Sequence, residues 1–267
     1  AIPPSVAQLN GAGRRREIGP LWRQAGWIAL GMGLLLTVLV WHSPILLDWI
    51  GIVAEVRPEA GGFLRAIAFG APALSLYFCF RYLSEGLAWT PPTMLFGIAG
   101  LLLLIPLGYA LMFGLGPIPE LGAAGLGYAT ALVLWLQALG FLLYLHRSTR
   151  FDDLELFARY DPPNWRVIRS LLALGLPMGV SIFMEGTLFV ATALLIGRLG
   201  AIDVAAHQIA LNLASVCFML PLGIAMATTV RVGHAVGADD LSAVRWAAGA
   251  GFALGGLTQT AAAFVLI

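Results

Sequence analysis

Seven long, predominantly apolar stretches run through the chain, at about residues 24–44, 64–84, 94–114, 123–145, 170–197, 204–229 and 245–267. A helix rising about 1.5 Å per residue needs roughly 20 apolar residues to cross about 30 Å of hydrocarbon, and each stretch meets that length. No water satisfies backbone polar groups inside a bilayer, so spanning segments are helices or the strands of closed barrels. These stretches are continuous rather than alternating and far longer than the roughly 10-residue strands of a barrel. The sequence therefore predicts an all-α polytopic membrane protein with about seven transmembrane helices. Turn formers stand where the apolar runs stop: Pro58 with Gly61-Gly62, Pro91-Pro92, Pro117 with Pro119, Pro162-Pro163, and Gly200 through Asp203.

Composition narrows the function classes. Hydrophobic residues make up 60% of the chain and charged residues 11%, which excludes an ordinary soluble enzyme. A net charge of +1 provides no basic field for nucleic acid. All 15 basic residues are arginines, so chemistry that needs a lysine Schiff base or a P-loop lysine is excluded. Cys79 and Cys217 sit singly inside apolar runs and read as packing residues, with no metal or disulfide pattern. Ser181 with His207 lacks the glycine-flanked setting of an exposed serine nucleophile, so no enzyme, cofactor or metal site is expected. The chain opens without Met and stops within an apolar stretch, which leads us to expect a piece of a longer protein, and no basic segment with a cleavage site opens it.

Arginine placement orients the spans, because positive residues collect on the cytoplasmic face. Arg14, Arg15, Arg16, Arg23, Arg81, Arg147, Arg150, Arg159, Arg166, Arg169, Arg231 and Arg245 fall on one face, against Arg57, Arg65 and Arg198 on the other. The richer face is read as cytoplasmic. Its longest loop, 147–169, carries Phe151, Leu154, Leu156, Phe157 and Tyr160 among charges, which predicts a short interfacial helix ended by Pro162-Pro163.

An offset of 224 residues pairs Val6 with Val230, Gly13 with Gly237, Trp22 with Trp246, and Ala29-Leu30-Gly31 with Ala253-Leu254-Gly255. Many transporters are built from two such repeats with the substrate path between them. The expected division is a first lobe at 1–146 with four spans, a cytoplasmic connector at 147–169, and the start of a second lobe at 170–267 with three.

Most carboxylates lie at span ends or in loops, among them Asp48, Glu55 and Glu120 on the outer side. Glu185 stands near the middle of its span, where an ionised carboxylate costs on the order of 3 kcal/mol. Burial of a carboxyl in hydrocarbon favours its neutral form, which fits a group that takes and releases a proton or holds a cation. Pro177, two turns earlier, frees a carbonyl and allows a bend, and Pro221 does likewise in the next span. Thr187 follows Glu185 on the same helix, while His207, Gln208 and Asn212 share a broad face of the next, either as interhelical glue or in contact with substrate or ion. Glu85 reads as an end-of-helix residue, and Gly251 with Gly255 as a small-residue packing seam.

The segments Leu174-Gly-Leu-Pro-Met-Gly-Val-Ser-Ile-Phe-Met-Glu185, Ala205-Ala-His-Gln-Ile-Ala-Leu-Asn212, and Phe218-Met-Leu-Pro-Leu-Gly223 through Arg231-Val-Gly-His234 resemble the NorM-like branch of the multidrug and toxic compound extrusion (MATE) family. The resemblance extends through Ser84-Glu-Gly-Leu-Ala88 and Pro119-Glu120 to Thr130, nearly the whole chain. It implies a twelve-helix, two-lobe transporter of the bacterial inner membrane, of which these spans are the third to ninth. It further implies a monomeric secondary antiporter that exports organic cations in exchange for Na⁺ or H⁺, with Glu185 serving cation coupling. Gly186 departs from the bulkier residue usual after that glutamate. The alternative is a lipid or lipid-linked oligosaccharide flippase of related architecture, which would call for intramembrane cationic residues that the spans do not display.

Overall fold

The computed structural model describes residues 2–45, 57–115, 119–196 and 200–266. Asp48, Glu55, Pro117 and Arg198 lie outside them. Every regular element among the described residues is helical: α1 (Ile2–Gly11), α2 (Ile18–His42), α3 (Arg57–Ala68), α4 (Ala71–Gly86), α5 (Pro91–Phe113), α6 (Gly122–Arg147), α7 (Trp165–Ile196), α8 (Ala201–Gly237) and α9 (Leu241–Leu266). Short 3-10 turns cover Arg15–Glu17 and Thr149–Leu154. Five helices are individually long and apolar enough to cross a membrane, and α3 with α4 makes a sixth span as a bent pair. The last expected span is α9, whose 26 residues are long enough to cross but include Thr258, Gln259, Thr260 and several glycines, which dilute its apolar character.

The second span departs from the single run expected at 64–84. It starts earlier, at Arg57, and bends by 46° between α3 and α4. Gly70 sits at the break and Pro72 near the start of α4, where a proline is tolerated because the first-turn N–H groups have no helical partner. Gly70 also packs tightly against Ala131 and Leu134 of α6, and Gly33 of α2 packs on Pro72. Pro106, Pro177 and Pro221 instead lie inside helices that continue through them.

Contacts divide the chain into two compact units, residues 15–168 and residues 3–14 with 169–267. In the first, α6 packs on α3, α4 and α5, and α2 packs on α3 and α4. Glycines let these helices meet closely: Gly125 faces the Leu111 carbonyl and Gly127 faces Ala66 and the Phe63 carbonyl. Phe141 and Leu83 are fully buried, with Tyr77 and Phe96 edge-on or tilted against Phe141. The outer faces stay apolar. Met94, Leu95, Ile98, Leu101, Leu102 and Ile105 of α5 are each more than half exposed, a surface stable only against lipid. In the second unit α8 packs on α9, with Gly251 against Thr228. At Gly255 the expected seam gives way to open space.

The connector after α6 holds no α-helix, contrary to the interfacial helix expected there. It makes the 3-10 turn and then a left-handed Glu155, and its apolar residues turn inward: Phe151, Leu154 and Leu156 are buried. Phe157 packs edge-on against Trp22 and His146. Arg23 donates to the Glu155 and Leu156 carbonyls and pairs with Asp161 at 2.7 Å, while Arg15 pairs with Asp153. The Gln24 amide donates to the Pro162 carbonyl and accepts from the Asn164 N–H, and Trp27 donates to the Asp161 carbonyl. Backbone groups that an interfacial helix would have satisfied internally are met by α2 side chains.

Candidate functional site

The mid-span carboxylate lies on α7, a 32-residue helix continuous from Trp165 to Ile196. Leu, Ile, Val, Met and Phe dominate this helix, and a proline at position 177 removes one N–H without ending it. Glu185 has no hydrogen-bond or ion-pair partner among the described residues. Around it Ile182, Phe183, Met184, Leu188 and Phe189 are each more than half exposed. The charge therefore sits in an apolar stretch of helix surface, a costly arrangement that is usually retained for function.

Pro177, Ser181 and Glu185 recur every four residues and share one side of α7. The Ser181 hydroxyl donates to the Pro177 carbonyl at 3.1 Å. Thr187 is two residues beyond Glu185, about 200° around the helix, so the structure places it on the opposite side. Its hydroxyl donates back to the Phe183 carbonyl at 2.8 Å.

On α8 the polar residues separate. His207 belongs to a half-buried stripe with Leu211, Cys217, Pro221, Ile224 and Thr228, a spacing of three, four or six residues that follows one helix face. Its Nε2 is buried without a hydrogen-bond partner among the described residues. Gln208 and Asn212 stand on an exposed side, their amides 3.4 Å apart. The structure thus brings Gln208 and Asn212 together, leaves His207 on a neighbouring face, and forms no hydrogen bond from any of the three to Glu185 among the described residues.

Two polar contacts escaped the sequence reading. Arg81 pairs with Glu85 at 2.6 Å, one helical turn apart, and the i,i+4 spacing of opposite charges was the available signal. Asn10 of α1 donates through Nδ2 to Nε2 of His234 on α8 at 3.2 Å. Their separation equals the repeat offset, which was legible in the alignment of the sequence on itself.

Known proteins agree with this architecture. The MatE family model matches residues 1–110 and 177–267. Over its whole length the chain is 54% identical to a probable multidrug resistance protein NorM of Xanthomonas campestris pv. campestris, of which it covers 58%. It is 43% identical over 259 residues to multidrug resistance protein PmpM of Pseudomonas aeruginosa, a match covering 95% of this chain and 53% of that protein. The solved MATE transporter NorM-NG, in complex with a drug and a monobody, superposes with a TM-score of 0.77 at 30% identity, covering 93% of this chain and 55% of that one. The chain spans less than two thirds of the length of the curated relatives it matches. With three quarters of its residues under the family model and more than half identical to a NorM relative, the chain belongs to the MATE family.

Proposed function

We propose that the whole protein is a secondary antiporter of the bacterial inner membrane that exports cationic, amphipathic compounds in exchange for Na⁺ or H⁺, with Glu185 as a coupling carboxylate. The observation that carries this reading is the lone carboxylate of α7, unpartnered among the described residues in an otherwise apolar stretch of a spanning helix. A group in that setting exchanges one positive charge for another, since only one cation at a time neutralises it. A bound proton or Na⁺ and a substrate cation then compete for the same site, and a gradient of one drives export of the other. Names of relatives as multidrug resistance proteins, and the drug held by the NorM-NG structure, support a small organic molecule as cargo.

Roles for the other residues follow from where they stand. Gln208 and Asn212 offer uncharged polar contacts to substrate or ion, suited to orienting cargo without fixing its identity. Thr187 and His207 act through helix packing, Pro177 and Pro221 through helix bending, and the exporter works as a monomer with no resident metal or organic cofactor. The lobes are proposed as 1–146 and 170 onward, joined by the connector at 147–169.

Glu185→Gln keeps size and hydrogen-bonding capacity but cannot ionise, so it abolishes gradient-driven efflux of a fluorescent cation from everted vesicles while the protein still accumulates in the membrane. Glu185→Asp retains part of the activity. Running the assay with a sodium gradient and a proton gradient separately identifies the coupling ion. Wild-type efflux by the Gln variant at every pH and sodium concentration overturns the assignment.

A further inference from the structure

Asn10 and His234 stand 224 residues apart, the offset that also pairs Val6 with Val230 and Gly13 with Gly237, and they touch through an amide–imidazole hydrogen bond of 3.2 Å. Around that bond α1 crosses the end of α8 at backbone contact. A Cβ added at Gly11 would run into the His234 carbonyl, one at Gly237 into the Gln8 carbonyl, and one at Gly233 would come within 2.8 Å of the Ala7 Cβ. Gly233 and Gly237, one turn apart, give α8 the small-residue face that such close crossings require.

Equivalent positions of two repeats meet directly only at the axis that relates the repeats. In carriers built from two repeats the substrate path runs between the copies, so a contact on the axis blocks it at that level. The arginine bias puts this level at the cytoplasmic end, because the turn Arg14-Arg15-Arg16 follows α1 and Arg231 lies inside the crossing segment.

We propose that the crossing of α1 and α8 is a cytoplasmic latch, pinned by Asn10 and His234, which closes the substrate path and must part before a substrate enters from the cytoplasm. This rests on the exporter reading, since only a carrier needs that end to open. Glycine-lined contact suits such a device: the two backbones separate and re-form as units, without unthreading long side chains.

The test uses the whole transporter with Cys79 and Cys217 replaced by Ala and cysteines at positions 10 and 234, in everted vesicles. A short, cleavable thiol cross-linker is expected to bridge the two sites, to reduce efflux of a fluorescent cation to the vector background, and to release it again on cleavage. Efflux by the bridged protein at the unbridged rate overturns the latch, as does failure to bridge when both thiols label singly. Gly237→Leu, which wedges the crossing apart, should speed labelling of a single cysteine at position 10 from the cytoplasmic side, and unchanged labelling in the accumulated protein also overturns it. If Gly237→Leu does not accumulate, the cross-link decides. Absence of ion-driven efflux before any bridging refutes the antiporter reading instead, while the bridging yield still reports on the contact.

Discussion

Gln24 is 4% exposed, and both ends of its amide serve the connector: Nε2 donates to the Pro162 carbonyl and Oε1 accepts from the Asn164 N–H. Gln24→Ala leaves two buried backbone groups unmet, a cost of about 1–3 kcal/mol, and should be seen as faster limited proteolysis of residues 155–164 with little change elsewhere. The Arg15–Asp153 pair on the same connector is far weaker, because both side chains are about a third or more exposed. The hydrogen bond from Arg15 holds the Asp153 carboxyl below its usual range. The stability it contributes is therefore present above the unfolded carboxylate pKa of about 3.9 and lost as the pH falls through the lower folded value. Arg15→Gln should lower stability by under about 1 kcal/mol at neutral pH, with the difference vanishing in acid, measured by thermal unfolding in detergent at both pH values. Glu185 was legible in the sequence because a lone carboxylate stands out against an apolar run, whatever the helix packs against. Arg23 and Gln24 were not, since their partners are more than 130 residues away and meet them only through the loop's irregular path.

Spans were legible as elements because hydrocarbon imposes a length on them, and α5, apolar on every side, needed no packing information to be found. The bend between α3 and α4 was not. It depends on Gly70 and Pro72 standing against α6 and α2, a tertiary contact, whereas Pro106, Pro177 and Pro221 have the same local chemistry and leave their helices continuous. The connector misled in the opposite way: its apolar residues suit an interfacial helix, yet they found a better partner in Trp22 and the cytoplasmic ends of α2 and α6. Close packing makes α6 sensitive to side-chain volume on one face only. Gly127→Leu pushes a side chain into Ala66 and the backbone of α3, whereas Leu132→Ala, on an exposed position of the same helix, removes no packed neighbour. Overpacking of this kind costs about 1–3 kcal/mol or more, so the first variant should lower the melting temperature in detergent and membrane accumulation, and the second should leave both near wild type.

At the scale of the molecule the sequence alignment on itself carried more than expected, since the offset that defines the repeat also locates the α1–α8 contact. Orientation in the membrane rests on the arginines alone, twelve on one side and three on the other. The connector strengthens the physical case for placing the richer side in the cytoplasm: Arg15 and Arg23 are tied to Asp153 and Asp161, so translocating that face would carry a paired, folded segment with several charges across the hydrocarbon. Single cysteines at Arg147, Arg166, Glu59 and Glu120, in a protein lacking Cys79 and Cys217, sample both sides of the membrane. A membrane-impermeant thiol reagent applied to intact cells should label positions 59 and 120 only, and in everted vesicles the preference should reverse to 147 and 166. Labelling of 147 or 166 from outside would invert the topology and move the α1–α8 crossing to the outer end of the path, where closing it would hold back release of cargo rather than its entry.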